Sequence, residues 1–149
     1  MEKSPFELSG GQKRRVAIAG VLAMEPKLLI LDEPTAGLDP KGRDEILFKI
    51  KDMHKKLGIT VILVSHSMED LANLTEKIMV MNHGSLQMFD KTSEIFKRSE
   101  ELQKVGLSVP QITEICDKLR ENGFPIQKGI YTLDAAKAEI EKILKDEKR

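Results

Sequence analysis

The chain has 149 residues, with 24 Lys and Arg against 24 Asp and Glu and a formal net charge of zero. That length suits one modest domain, or a domain and an appendage, and the even balance leaves no basic field that would argue for nucleic acid. The single Cys116 excludes a disulfide framework within the chain, and no apolar run approaches the roughly 18 residues of a transmembrane helix, so a membrane role is expected to come through a partner.

The first element opens at "LSGGQ", Leu8 to Gln12. Ser9 and Gln12 have capping-box spacing, a hydroxyl at the N-cap and an amide three positions on. The run Val16, Ala17, Ile18, Ala19, Val21, Leu22, Ala23 then predicts a buried helix. Pro26 ends it, because Glu25 before a proline is biased away from helix. Ser9, Gly10 and Gly11 therefore fall at a helix N-terminus, where free N–H groups and the dipole favour an anion such as phosphate. An ordinary well-capped helix fits the same residues.

"LLILDEP" follows, with four apolar residues, Leu28 to Leu31, ahead of Asp32 and Glu33. It predicts a buried strand whose C-terminal edge carries two carboxylates, the edge at which open α/β sheets bind ligands. One carboxylate there can hold Mg²⁺ and the other can orient or activate a water. A strand end with solvated acids would look the same. Asp39-Pro40 reads as an N-cap with proline at N1. Ile46, Ile50, Met53 and Leu57 recur at helical spacing up to Gly58. Ile59 to Val64 predicts a second buried, parallel strand, which delivers His66 to the same edge as Asp32 and Glu33. Ser67 can cap the next helix. "KIMVMNHGSLQMFD" predicts two strands about a turn at His83-Gly84. His54 and His83 have no companions of the kind that ligate a metal.

"LSGGQ", "LLILDEP", "AGLDP" and "VSHS", in this order and spacing, resemble the C-terminal half of an ATP-binding cassette (ABC) ATPase, over residues 8 to about 90. The resemblance implies an incomplete P-loop NTPase sheet of the α/β class with flanking helices and a small C-terminal helical region. It also implies roles. Leu8 to Gln12, with Ser9, Gly10, Gly11 and Gln12, would be the signature that meets the γ-phosphate of ATP on an opposite subunit. Asp32 would hold Mg²⁺, Glu33 would be the general base, Ala36 to Asp39 the D-loop at a dimer interface, and His66 the residue that senses the γ-phosphate.

A P-loop, G-x-x-x-x-G-K-[ST], is the motif that should cradle the phosphates. Gly37 to Asp44 has its glycine spacing but not its chemistry: Pro40 has no N–H, Asp39 and Asp44 repel phosphate, and Arg43-Asp44 replaces the lysine and hydroxyl. In the family the P-loop precedes the signature, and seven residues precede Leu8 here. The chain is therefore expected to be a fragment, inactive by itself.

Residues 91 to 149 form a second expected region. Lys91 to Lys104 predicts a weakly amphipathic helix, and Pro110 and Asn122-Gly123 suit the ends of another. Ile112, Ile115, Cys116 and Leu119 make its apolar stripe. Thr132 caps a last helix bearing Ala136, Ile140, Ile143 and Leu144. Such narrow stripes are expected to pack on the cassette or on a partner. "LSVPQITEICDKLRENG" and "YTLDAAKAEI" resemble the tail of energy-coupling factor (ECF) transporter ATPases, relatives of cobalt and nickel uptake ATPases, in which the tail helps two ATPases dimerise. That implies an ATP-hydrolysing subunit on the cytoplasmic face of the membrane, with a second ATPase subunit and integral membrane subunits as partners and no nucleic acid, driving uptake of a vitamin or transition-metal ion. A non-transport ABC ATPase of DNA repair or translation, and an interaction fragment without activity, are the alternatives.

Overall fold

The structure is a computed structural model that describes residues 4–146. Residues 1–3 and 147–149, the outer ends of the two expected regions, lie outside the described residues. The chain forms two compact units, Met1–His66 and Ser67–Arg149. The divide falls inside the motif-bearing stretch, directly after His66.

In the first unit a 3-10 turn, Pro5–Glu7, leads into helix α1, Gly10–Leu22. The capping box is present as expected: the Ser9 hydroxyl accepts from the Gln12 N–H at 3.3 Å, and Gln12 Oε1 accepts from the Ser9 N–H at 2.9 Å. The chain leaves the helix through Glu25 at φ +50°, immediately before Pro26. Strand β1, Leu28–Asp32, is followed by helix α2, Pro40–Leu57, and strand β2, Thr60–Val64. The two strands are parallel neighbours, in register from Leu28 opposite Thr60 to Asp32 opposite Val64. A helical crossover between parallel strands is the βαβ unit that the sequence implied. Gly58 at φ +63° stops α2, a left-handed position that suits glycine. Its N–H donates to the His54 carbonyl at 3.1 Å, and His54 Nδ1 meets the Ile59 carbonyl at 2.8 Å.

Burial in this unit departs from expectation. Leu29, Leu31, Ile46, Ile50 and Ile59 form the core, with Ile18 and Leu22 of α1 packed against it. β1 is buried on one face only, and β2 is half-buried on one face. Ile30 is 61% exposed and its register partner Ile62 46%. Helix α1 is not a buried helix either, since Val16 and Val21 lie exposed. Its apolar residues surround the whole circumference, and one contact with β1 and α2 can cover only one stripe of a helix. Leu57, at the end of the α2 stripe, is likewise exposed.

In the second unit helix α3, Met68–Leu74, is capped by Ser67, whose hydroxyl accepts from the Asp70 N–H at 3.2 Å. Strands β3, Lys77–Asn82, and β4, Ser85–Lys91, pair antiparallel as a two-stranded sheet separate from that of β1 and β2. Their turn has His83 at φ +47° and Gly84 at φ +73°. Two consecutive left-handed residues match the twist of a hairpin.

The expected single helix over Lys91 to Lys104 is two: α4, Thr92–Phe96, and α5, Ser99–Lys104, broken at Lys97-Arg98. Ile95, Phe96 and Leu102 all enter the core of this unit. Phe96, 1% exposed, contributes about 1.5–3 kcal/mol by its burial. Helix α6, Gln111–Glu121, and helix α7, Leu133–Asp146, follow. They share a small apolar core. Cys116 and Ala136 are closed over by Ile126 and Ile130 of the connection, with Ile112, Leu119, Ile140 and Ile143 around them. Ile115 and Leu144 point out to solvent. The Arg120 guanidinium fixes that connection, donating to the carbonyls of Ile126 and Gln127.

Candidate functional site

Every residue expected to act on phosphate or water lies in the first unit. The centre is the C-terminal edge of β1 and β2. Asp32 ends β1, exposed, opposite Val64. The next residue leaves the strand sharply: Glu33 has φ +45°, while its N–H still donates to the Val64 carbonyl at 2.9 Å. A left-handed conformation is unusual for a residue with a Cβ and costs on the order of 1 kcal/mol. It is maintained here by the loop that follows. The Ala36 N–H donates to the Glu33 carbonyl and the Leu38 N–H to the Thr35 carbonyl, each at 3.2 Å. Pro34 between them is buried.

The turn aims the Glu33 carboxylate across at the end of β2. Oε1 accepts from the His66 backbone N–H at 3.0 Å and lies 2.8 Å from His66 Nδ1. An ionised carboxylate only accepts, so Nδ1 carries the proton of that bond. The ring is 84% exposed and the carboxylate about a third. An imidazolium in this position can donate from Nε2 to an anionic oxygen while Glu33 holds its other side. Both bonds fall on Oε1, and a carboxylate carries lone pairs on each oxygen.

The N-terminus of α1 offers a different chemistry. The capping box engages the amides of Ser9 and Gln12. The amides of Gly10 and Gly11 have no partner among the described residues, as expected of the first positions of a helix. Ser9 accepts through its oxygen, so its O–H remains a donor. Two open amides, a hydroxyl and a helix dipole together favour an anion.

Asp39 is engaged elsewhere. Its carboxylate accepts from the Gly42 N–H at 3.0 Å and caps α2. The glycine spacing of Gly37 to Asp44 is thus spent on a turn, with Gly37 at φ +71°, and a helix start. No cluster of three or more His, Cys, Asp or Glu able to hold a metal occurs among the described residues. One exposed carboxylate, Asp32, fits a magnesium ion held mainly by a nucleotide, since Mg²⁺ is commonly bound by one or two carboxylates plus substrate phosphates.

Two arginines went unnoticed in the sequence. Arg14 Nη1 donates to the Ala36 carbonyl at 2.7 Å, and Arg15 pairs with Glu45 of α2 at 3.2 Å. A basic run on a helix reads as a solvated face, and no local pattern announces partners so distant in the chain.

Comparison with known proteins bears on this arrangement. Residues 1–36 match the family model described as ABC transporter. The chain is 60% identical over 148 residues to the energy-coupling factor transporter ATP-binding protein EcfA2 of Clostridium acetobutylicum, covering 99% of this chain and 52% of that protein. It is 57% identical to the EcfA2 protein of Caldanaerobacter subterraneus, again over 99% of this chain and 51% of the relative. Among solved structures, cbiO1 of Clostridium perfringens, described as part of the ABC transporter complex cbiONQ, superposes with a TM-score of 0.60 at 45% identity over 78% of this chain and 46% of its own. The chain spans about half the length of the relatives it matches. Among the described residues no helix is long and apolar enough to cross a membrane. With sequence likeness to ECF ATP-binding proteins over nearly its whole length, and a fold shared with an ABC transporter subunit, the chain is similar to about half of an ABC transporter ATP-binding protein.

Proposed function

We propose that this chain supplies the hydrolytic part of an ATPase subunit of an ECF-type ABC importer. The observation that carries the reading is the Glu33–His66 pair, two hydrogen bonds on one carboxylate oxygen at the sheet edge. Glu33 takes the proton from the attacking water through a carboxylate that its turn and His66 hold still. His66 meets the γ-phosphate with Nε2. Asp32 holds Mg²⁺ together with the nucleotide, and the ion when bound neutralises charge on the phosphates. Ser9, Gly10, Gly11 and Gln12 receive the γ-phosphate of ATP seated on the P-loop of another subunit. The loop Ala36 to Asp39 lies at the junction of the two.

The same reading assigns residues 1–90 to the nucleotide-binding domain and 91–149 to a tail that contributes to dimerisation. Its partners are a second ATPase subunit and integral membrane subunits, which keep it on the cytoplasmic face of the membrane. Its cargo is a vitamin or a transition-metal ion. The names of its relatives, energy-coupling factor transporter ATP-binding proteins, support this class.

The test is Mg-ATP hydrolysis by the ATPase assembled with its partners. Glu33→Gln keeps the side chain's size but cannot take a proton, and turnover is expected to fall by about 10² to 10⁴-fold with ATP binding retained. Turnover close to that of the unaltered protein would remove Glu33 from the role of base.

A further inference from the structure

Arg14 belongs to neither the phosphate corner nor the sheet edge, yet it bridges them. Its guanidinium donates to the Ala36 carbonyl at 2.7 Å. The N–H of the same Ala36 donates to the Glu33 carbonyl at 3.2 Å. Ala36 is therefore held from both sides, by α1 through its oxygen and by Glu33 through its nitrogen. A second contact fixes the alignment of helix and loop. Gly11 sits so near Leu38 that a Cβ on it would stand 3.3 Å from Leu38 Cδ2. Hydrogen bonds to a charged donor are about twice as strong as neutral ones, so the arginine bond is the stronger link in this chain.

Glu33 depends on that link more than an ordinary strand-end residue would. At φ +45° it has no intrinsic preference for its conformation, and the Ala36 N–H is the bond that holds its carbonyl. We infer that Arg14 is a positioning residue: it transmits the seating of α1 on a phosphate, through the Ala36 peptide, to the orientation of the Glu33 carboxylate. The inference rests on the reading of Glu33 as the base.

The experiment compares four forms of the assembled ATPase: unaltered, Arg14→Met, Arg14→Lys and Arg15→Met, with Glu33→Gln as reference. Arg14→Met retains an apolar stem and loses the donors. Because small misplacements of a reacting group are costly, its kcat is expected to fall by about 10- to 100-fold. Its KM for Mg-ATP stays within about threefold, since no binding contact is removed. Arg14→Lys, which keeps a donor, recovers part of the rate. Arg15→Met loses only a solvent-exposed pair with Glu45 and turns over like the unaltered protein. Melting temperatures are followed alongside. If Arg14→Met turns over like Arg15→Met while Glu33→Gln does not, the coupling is wrong and the base assignment stands. If Arg14→Met loses rate and melting temperature together and lysine restores neither, the role is structural and the inference is overturned. If Glu33→Gln turns over normally, the inference and the reading beneath it both fall.

Discussion

His66 reaches Glu33 Oε1 twice, with its backbone N–H at 3.0 Å and its ring Nδ1 at 2.8 Å. The two bonds separate under mutation. His66→Ala deletes the ring and leaves the backbone donor, so Glu33 keeps one of its two restraints. Turnover is expected to drop by about 10²-fold, less than for Glu33→Gln, because the carboxylate survives as base while the phosphate contact and the ring's bond to Oε1 are lost. Steady-state phosphate release on the two variants, measured in parallel, checks the order. A His66→Ala enzyme slower than Glu33→Gln would show that the ring, and not the carboxylate, dominates the chemistry.

Asp39 caps α2 through the Gly42 N–H. Asp39→Ala leaves that amide unpartnered and should destabilise the first unit by about 1 kcal/mol, whereas Asp39→Asn should recover most of the loss. Amide exchange at Gly42 and the following turn reports it directly. Equal protection in all three proteins would mean that the cap does not hold the helix end.

Gly129 has φ +79°, and a Cβ there would run into Lys97 Cγ and stand 3.2 Å from the Ser93 carbonyl oxygen. Gly129→Ala combines backbone strain with a clash in which only the lysine can give way. A loss of about 1–3 kcal/mol is expected in urea denaturation followed by circular dichroism. A neutral result would show that the connection from α6 to α7 rearranges freely.

The punctuation of this fold was legible residue by residue. Ser9 with Gln12, Asp39-Pro40, Gly58, Ser67 and His83-Gly84 act through bonds or φ angles of their own neighbourhood, and each stands where its local chemistry places it. Burial was less legible. The apolar runs of β1 and β2 say which residues favour leaving water and not what covers them, and Ile30 and Ile62 remain exposed. Phe96 was hidden by the charged residues around it, which give the segment a weak apolar stripe. At the site, the strand ends placed Glu33 and His66 on one edge. The turn at Glu33 that joins them, and the Arg14 bond that reaches 22 residues along the chain, depend on tertiary packing that no short window contains.

Cys116, 1% exposed, gives the stability a pH dependence. Burial pushes its thiol above the ordinary value of 9.0; Arg120 pulls the other way, and Asp117 and Glu139 add to the rise. The folded chain therefore keeps the thiol proton at pH values where the unfolded chain has released it. The unfolded state then binds fewer protons, so stability falls as pH rises. The contribution is whole below about pH 9 and is lost above it. Thermal melts of the unaltered protein and Cys116→Ala across that range should converge as pH increases. Parallel curves would mean that the thiol titrates alike in both states.

In the proposed ATPase, Ser9 to Gln12 serve a phosphate brought by another subunit, while Glu33 and His66 act at the sheet edge. The open amides of Gly10 and Gly11 and the free O–H of Ser9 form a corner that arginine would fill. The most direct measurement is single-site ATP turnover in mixed dimers that carry Ser9→Arg on one subunit only. Loss of hydrolysis is expected at the site whose P-loop lies on the unaltered partner, with ATP binding there preserved. Loss confined to the altered subunit's own P-loop, or at neither site, would contradict it.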